Sequence, residues 1–106
     1  MAGKYTKDML PQEVRQRLAS GETLRIIDVR EPAEWSSGHI PGAKHIPLGS
    51  IVQRLNELDK HAEYIIVCRS GGRSSLACEH LESMGYQVVN MPGGMSEWDG
   101  EISYDE

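Results

Sequence analysis

The sequence predicts a single α/β domain, a three-layer arrangement in which helices flank a central, mainly parallel sheet. Three observations carry this. Strand-like and helix-like segments alternate along 106 residues, a length that fits one core and leaves no room for two. The run Tyr64 to Val67 is continuously apolar, as expected of a strand buried on both faces. Polar or glycine-rich segments follow each predicted strand, at the sheet edge where α/β folds place their sites.

The elements follow in order. Pro11 to Ala19 reads as a helix, with Pro11 at the first helical position and Val14 and Leu18 on one face. Gly21 is placed to end it in a left-handed conformation. Leu24 to Asp28 is a short branched run, hence a strand. Pro32 to Pro47 carries Gly38, Pro41, Gly42 and Pro47, too much punctuation for a long element. Ser50 is placed to cap a helix to Leu58, with Ile51, Leu55 and Leu58 on one face. Tyr64 to Val67 is the second strand. A helix from about Arg73 to Met84 follows, with Ala77, Leu81 and Met84 inward, Cys78 beside them and Gly85 closing it. Gln87 to Met91 is the third strand. The domain spans residues 1–106, with a core of about 10–98 and an acidic tail.

Composition narrows the function. The charged fraction is 25% and the hydrophobic fraction 39%, as in globular chains. A net charge of -5 argues against a nucleic-acid binder. No apolar run approaches the roughly 20 residues that cross a bilayer. Met1 to Asp8 lacks a signal-peptide core, so a cytoplasmic location is expected and no membrane partner. Glu97, Asp99, Glu101, Asp105 and Glu106 read as a solvated acidic end. The two cysteines, Cys68 and Cys78, suit neither a disulfide framework nor a Cys-x-x-Cys pair.

Three segments are expected to converge: Asp28-Val29-Arg30, Cys68 to Ser74, and Pro92-Gly93-Gly94. The second carries the chemistry. Gly71 and Gly72 allow a tight turn that aims successive N–H groups at one point. The helix start adds partial positive charge, Arg69 and Arg73 add full charges, and Ser70 and Ser74 add hydroxyl donors. Together they favour a thiolate at Cys68, the nucleophilic form, without help from a histidine. The same donors suit an anionic substrate group. A buried inert thiol would have no use for such surroundings.

Other residues are read more plainly. Cys78 belongs to the helix's core face rather than to a disulfide with Cys68. Asp28 and Arg30 form a structural salt bridge at the strand end. His39, His45, His61 and His80 lack metal-ligand spacing, and His39 orders a turn. Gly93-Gly94 lacks the rest of a phosphate loop. Trp35 and Trp98 pack against loops.

The stretch Val67-Cys68-Arg69-Ser70-Gly71-Gly72-Arg73-Ser74 resembles the active-site loop of the rhodanese-like sulfurtransferases. So do Ile27-Asp28-Val29-Arg30-Glu31, Glu34-Trp35, Gly38-His39-Ile40-Pro41-Gly42-Ala43 and Ile46-Pro47. Ala77, Leu81, Gly85-Tyr86 and Pro92-Gly93-Gly94 with Trp98 extend the resemblance, which covers roughly Leu10 to Trp98. A second alanine is usual in that family where Cys78 stands. The resemblance implies a rhodanese-like fold and a sulfurtransferase of the thiosulfate type. Cys68 would take a sulfane sulfur from a small anionic donor such as thiosulfate, forming a persulfide. A thiol, a protein or cyanide would accept it. Arg73 and Arg69 would hold the donor, and the N–H groups of the loop would stabilise the persulfide. No metal or organic cofactor is implied. The alternative is a sulfur-carrier or regulatory module serving a protein partner. Cysteine-dependent phosphatases are similar but set one more residue between Cys and Arg and usually place a histidine where Val67 stands. The shorter ring here suits a sulfur atom better than a phosphate.

Overall fold

The computed structural model describes residues 7–104. Most of the Met1–Asp8 segment, and Asp105 and Glu106 of the acidic end, lie outside the described residues. Helix α1 spans Pro11–Ala19, β1 Ile26–Asp28, α2 Pro32–Ser36 and β2 Lys44–His45. Strand β3 spans Glu63–Val67, α3 Gly72–Ser83 and β4 Gln87–Asn90. Three 3-10 turns lie at Leu48–Ser50, Leu55–Glu57 and Gly94–Glu97.

All pairings among these strands are parallel, in the order β2-β1-β3-β4. The α/β class with a parallel sheet between helices is therefore observed. Alternation along the strands sorts the core into two layers. Ile27, Val29, Tyr64, Ile66 and Val88 face α3, where Ala77, Cys78 and Leu81 meet them. Ile26, Ile65, Val67, Val89 and Met91 face the other side, where Val14 and Leu18 of α1 and Trp98 cover them. Cys68 continues the alternation of β3, so it lies in the α3 layer together with Cys78.

Several boundaries differ from the sequence reading. The helix expected from Ser50 to Leu58 does not form: one 3-10 turn ends at Ser50, a second spans Leu55–Glu57, and the turn residues 51–54 between them end in a non-helical Arg54 (φ -113°, ψ 19°). Ile51 is still buried, and Leu55 and Leu58 still pack on the α3 layer. Arg54 is tied to Glu57 (2.7 Å) and to the carbonyl of His45 (3.2 Å), contacts that hold the turns against the sheet edge. The first strand starts at Ile26 rather than Leu24, and the last ends at Asn90 rather than Met91. Within the Pro32–Pro47 punctuation, a five-residue helix and a two-residue strand form. The acidic end folds back: Ser103 pairs with His39, and Asp99 meets Arg15 at 2.9 Å. Among the described residues no helix is long and apolar enough to cross a membrane.

Candidate active site

Strand β3 delivers Cys68 to the carboxyl edge of the sheet, and α3 starts four residues later. The turn between them depends on Gly71, whose φ of +105° is disfavoured for residues with a side chain. A Cβ there would also press to 3.2 Å from the Gly93 nitrogen. Gly72 has no such duty. It opens α3 with no positive φ, and nothing lies within 4 Å of a Cβ built on it.

The turn wraps the sulfur. Sγ of Cys68 accepts the Gly71 N–H at 3.0 Å and lies 3.4 Å from the Ser74 hydroxyl. In the thiol form the S–H donates to Ser74, whose own proton goes to the Gly71 carbonyl (3.1 Å). That carbonyl also accepts the Ser75 N–H at 3.0 Å. The Ser74 hydroxyl can therefore turn to a thiolate without leaving the carbonyl unpaired. Burial pushes the Cys68 thiol up, but donors outweigh it: the Ser74 hydroxyl first, then the N–H groups of Ser74, Gly71 and Ser70. The net direction is down, so the thiolate is more accessible than in an ordinary cysteine. Cys78, in the same layer, has no such donors, and burial pushes it up to about 12.

The third predicted segment forms the other wall. The carbonyls of Cys68 and Arg69 accept the N–H groups of Met95 and Ser96, both at 2.8 Å. This requires close approach: a Cβ on Gly94 would sit 2.3 Å from the Cys68 carbonyl oxygen, at a φ of +54°. Gly94 thus serves backbone clamping.

The loop arginines part company. Arg73 turns to Glu34 of α2 in a two-point pair, Nη1 to Oε1 at 2.7 Å and Nη2 to Oε2 at 2.8 Å. Glu34 is in turn braced by a reciprocal capping box with Glu31. The Arg73 hydrogen bonds, opposed by partial burial, hold the Glu34 carboxyl at about 2. Arg69 is exposed and forms no ion pair among the described residues. Ser70 is exposed, and its N–H is among the groups that lower the Cys68 thiol. A cavity of about 310 Å³ opens beside the loop, lined by Arg30, Glu34, Ser37, Arg69, Met95 and Ser96.

Below it, Asp28 and Arg30 form the expected buried salt bridge, at 2.9 Å. Arg30 also donates to the Gly38 carbonyl at 2.7 Å, which fixes the end of α2 and hence Glu34. His39 is buried, stacks on Trp35 at 3.4 Å and bonds its carbonyl at 3.0 Å. Among the described residues no group of three or more His, Cys, Asp or Glu could hold a metal.

Sequence reading brought Cys68, Gly71 and Ser74 to one point but gave Glu34 no role of its own. The only local signal was the spacing of Glu31 and Glu34 around Pro32, which marks a helix start. Its ionic partner lies 39 residues away.

The family described as rhodanese-like domain matches residues 10–101. A Bacillus subtilis protein provisionally named a sulfurtransferase is 41% identical over 95 residues, 90% of this chain and 92% of its own. A second B. subtilis relative, provisionally named a sulfur carrier, is 43% identical over 82% of this chain and 48% of its own. The crystal structure of a rhodanese-like domain protein from Staphylococcus aureus superposes with a TM-score of 0.89, at 36% identity, covering 95% of this chain and all of that one. The chain belongs to the rhodanese-like sulfurtransferase family.

Proposed function

We propose that the protein moves a sulfane sulfur from a small anionic donor such as thiosulfate to a thiol, through a persulfide on Cys68. The observation that carries this is the ring of donors around Sγ, led by the Gly71 N–H at 3.0 Å and the Ser74 hydroxyl at 3.4 Å. The Cys68 thiolate attacks the outer sulfur of the donor. A Cys68 S–S bond forms, the donor S–S bond breaks, and its electron pair leaves on sulfite. The N–H groups of Ser70, Gly71 and Ser74 then face the added sulfur and stabilise its negative charge. An acceptor thiolate attacks the terminal sulfur, and the electron pair returns to Sγ. Arg69 of the loop assists by drawing the anionic donor to the mouth, and Arg73 joins it only where the donor displaces Glu34. Both cysteines are free, which suits a reducing cytoplasm.

A carrier module that receives sulfur and hands it to a protein is the second reading. The relative provisionally named a sulfur carrier favours it.

Intact-protein mass spectrometry after incubation with thiosulfate tests the persulfide. A gain of about 32 Da, removed by cyanide and absent in Cys68→Ser, is expected. Repeated turnover supports the enzyme, and one stoichiometric loading supports the carrier. Robust hydrolysis of an aryl phosphate that is lost in Cys68→Ser, with no sulfur adduct, would replace both by a phosphatase.

A further inference from the structure

Three guanidinium groups approach the mouth of the site, and two of them are already neutralised. Arg30 is held by Asp28 at 2.9 Å and is buried. Arg73 is held by Glu34 through both of its terminal nitrogens. Of these three, Arg69 alone forms no ion pair among the described residues, and it shares the cavity wall with Glu34. A dianion entering here faces one unmatched positive charge, since the other two guanidinium groups are each matched by a carboxylate. To use Arg73 it must displace a two-point carboxylate, braced by the Glu31 N–H at 2.9 Å.

We propose that Glu34 is a specificity-determining residue, whose carboxylate occupies Arg73 and weakens the hold of the site on doubly charged donors relative to donors carrying a single negative charge, such as a thiol persulfide. The inference rests on the sulfur-transfer reading for its substrates, but its electrostatic content stands on the charges alone. The carboxyl ionises at about 2, so protonation does not open the pair at neutral pH. The charge on Glu34 therefore acts at every physiological pH, and its effect scales with the charge of the incoming group. Glu34 acts through Arg73 and through its own field, without touching the reacting sulfur.

The test uses inorganic sulfate, a dianion that cannot donate sulfur, as a protectant of Cys68 against the neutral reagent iodoacetamide. Wild type, Glu34→Gln and Glu34→Asp are compared, each against its own unprotected rate. Glu34→Gln is expected to be half-protected at roughly fivefold less sulfate than wild type, because Arg73 is freed. Glu34→Asp, which keeps the charge, is expected to need about the wild-type concentration. Protection that is unchanged or weaker in Glu34→Gln overturns the inference, since Glu34 would then only position Arg73. An equal gain in Glu34→Asp overturns it too, since geometry rather than charge would be responsible. Persulfide loading from thiosulfate, followed in parallel, separates the two readings. If Glu34→Gln gains sulfate protection but no variant loads sulfur, the sulfur-transfer reading fails and this one stands. If wild type loads sulfur and Glu34→Gln gains no protection, the reverse holds.

Discussion

Cys68 and Cys78 make a controlled comparison within one molecule. Both are free thiols, both lie in the layer between the sheet and α3, and both are essentially inaccessible, at 1% and 0%. Burial pushes both thiols up. At Cys78 nothing opposes it, and the acidic groups Asp8 and Glu82 add to it. At Cys68 one hydroxyl and three backbone N–H groups reverse it. The difference between the two thiols therefore lies in the hydroxyl and N–H donors that the loop offers Cys68, and exposure does not distinguish the two sites.

The comparison breaks most completely if the backbone around Cys68 is spoiled. Gly94→Ala forces a Cβ to 2.3 Å from the Cys68 carbonyl oxygen at a positive φ. It is expected to lose roughly 2 kcal/mol or more of stability and nearly all sulfur loading, read by urea melts and mass spectrometry. Gly49→Ala, with nothing within 4 Å, is the control and is expected to change stability by less than about 0.5 kcal/mol.

Ser74→Ala removes one donor and leaves the turn. Loading at pH 7 is expected to fall roughly tenfold, the factor carried by one charge-assisted hydrogen bond of about 1.5 kcal/mol. A rate within twofold of wild type would mean that the N–H groups alone hold the thiolate.

Cys78→Ala should touch the other half of the comparison only. It leaves a small void in the α3 layer, expected to cost about 1 kcal/mol, or about 5 °C in Tm, with the loading rate within about twofold. A large loss of loading would give Cys78 a chemical role.

The smallest effect concerns the brace. Glu34 titrates at about 2 when folded, against an ordinary 4.5. Its folded value is depressed, so the stability it contributes is complete above pH 4.5 and drains away as pH falls toward 2. The difference in Tm between wild type and Glu34→Gln is expected to narrow across that window.

Legibility followed the range of the interactions. Strands β1, β3 and β4 and helix α3 could be read because burial on both faces writes short apolar runs and glycine closes the helix, whereas the two-residue β2 left no such run. The Cys68 loop could be read because its donors lie within six residues of the sulfur. The 51–58 segment misled because short turns also bring Ile51, Leu55 and Leu58 to the α3 layer, and the contacts of Arg54 with Glu57 and the His45 carbonyl accompany the break in the helix. The Glu34–Arg73 pair was illegible because α2 is short and its ionic partner is distant in sequence. The glycine pair was noted, but only the approach of Gly94 to the Cys68 carbonyl reveals why it is there.

The central claim is that the loop donors, rather than exposure, make one of two equally buried thiols nucleophilic. Site-resolved alkylation of native protein by iodoacetamide across pH 5 to 10, with each cysteine quantified by peptide mass spectrometry, tests it most directly. Cys68 is expected to titrate with a midpoint below the usual 9.0, while Cys78 stays unmodified across the range. Equal modification of both, or a Cys68 midpoint at or above 9.0, would contradict the account.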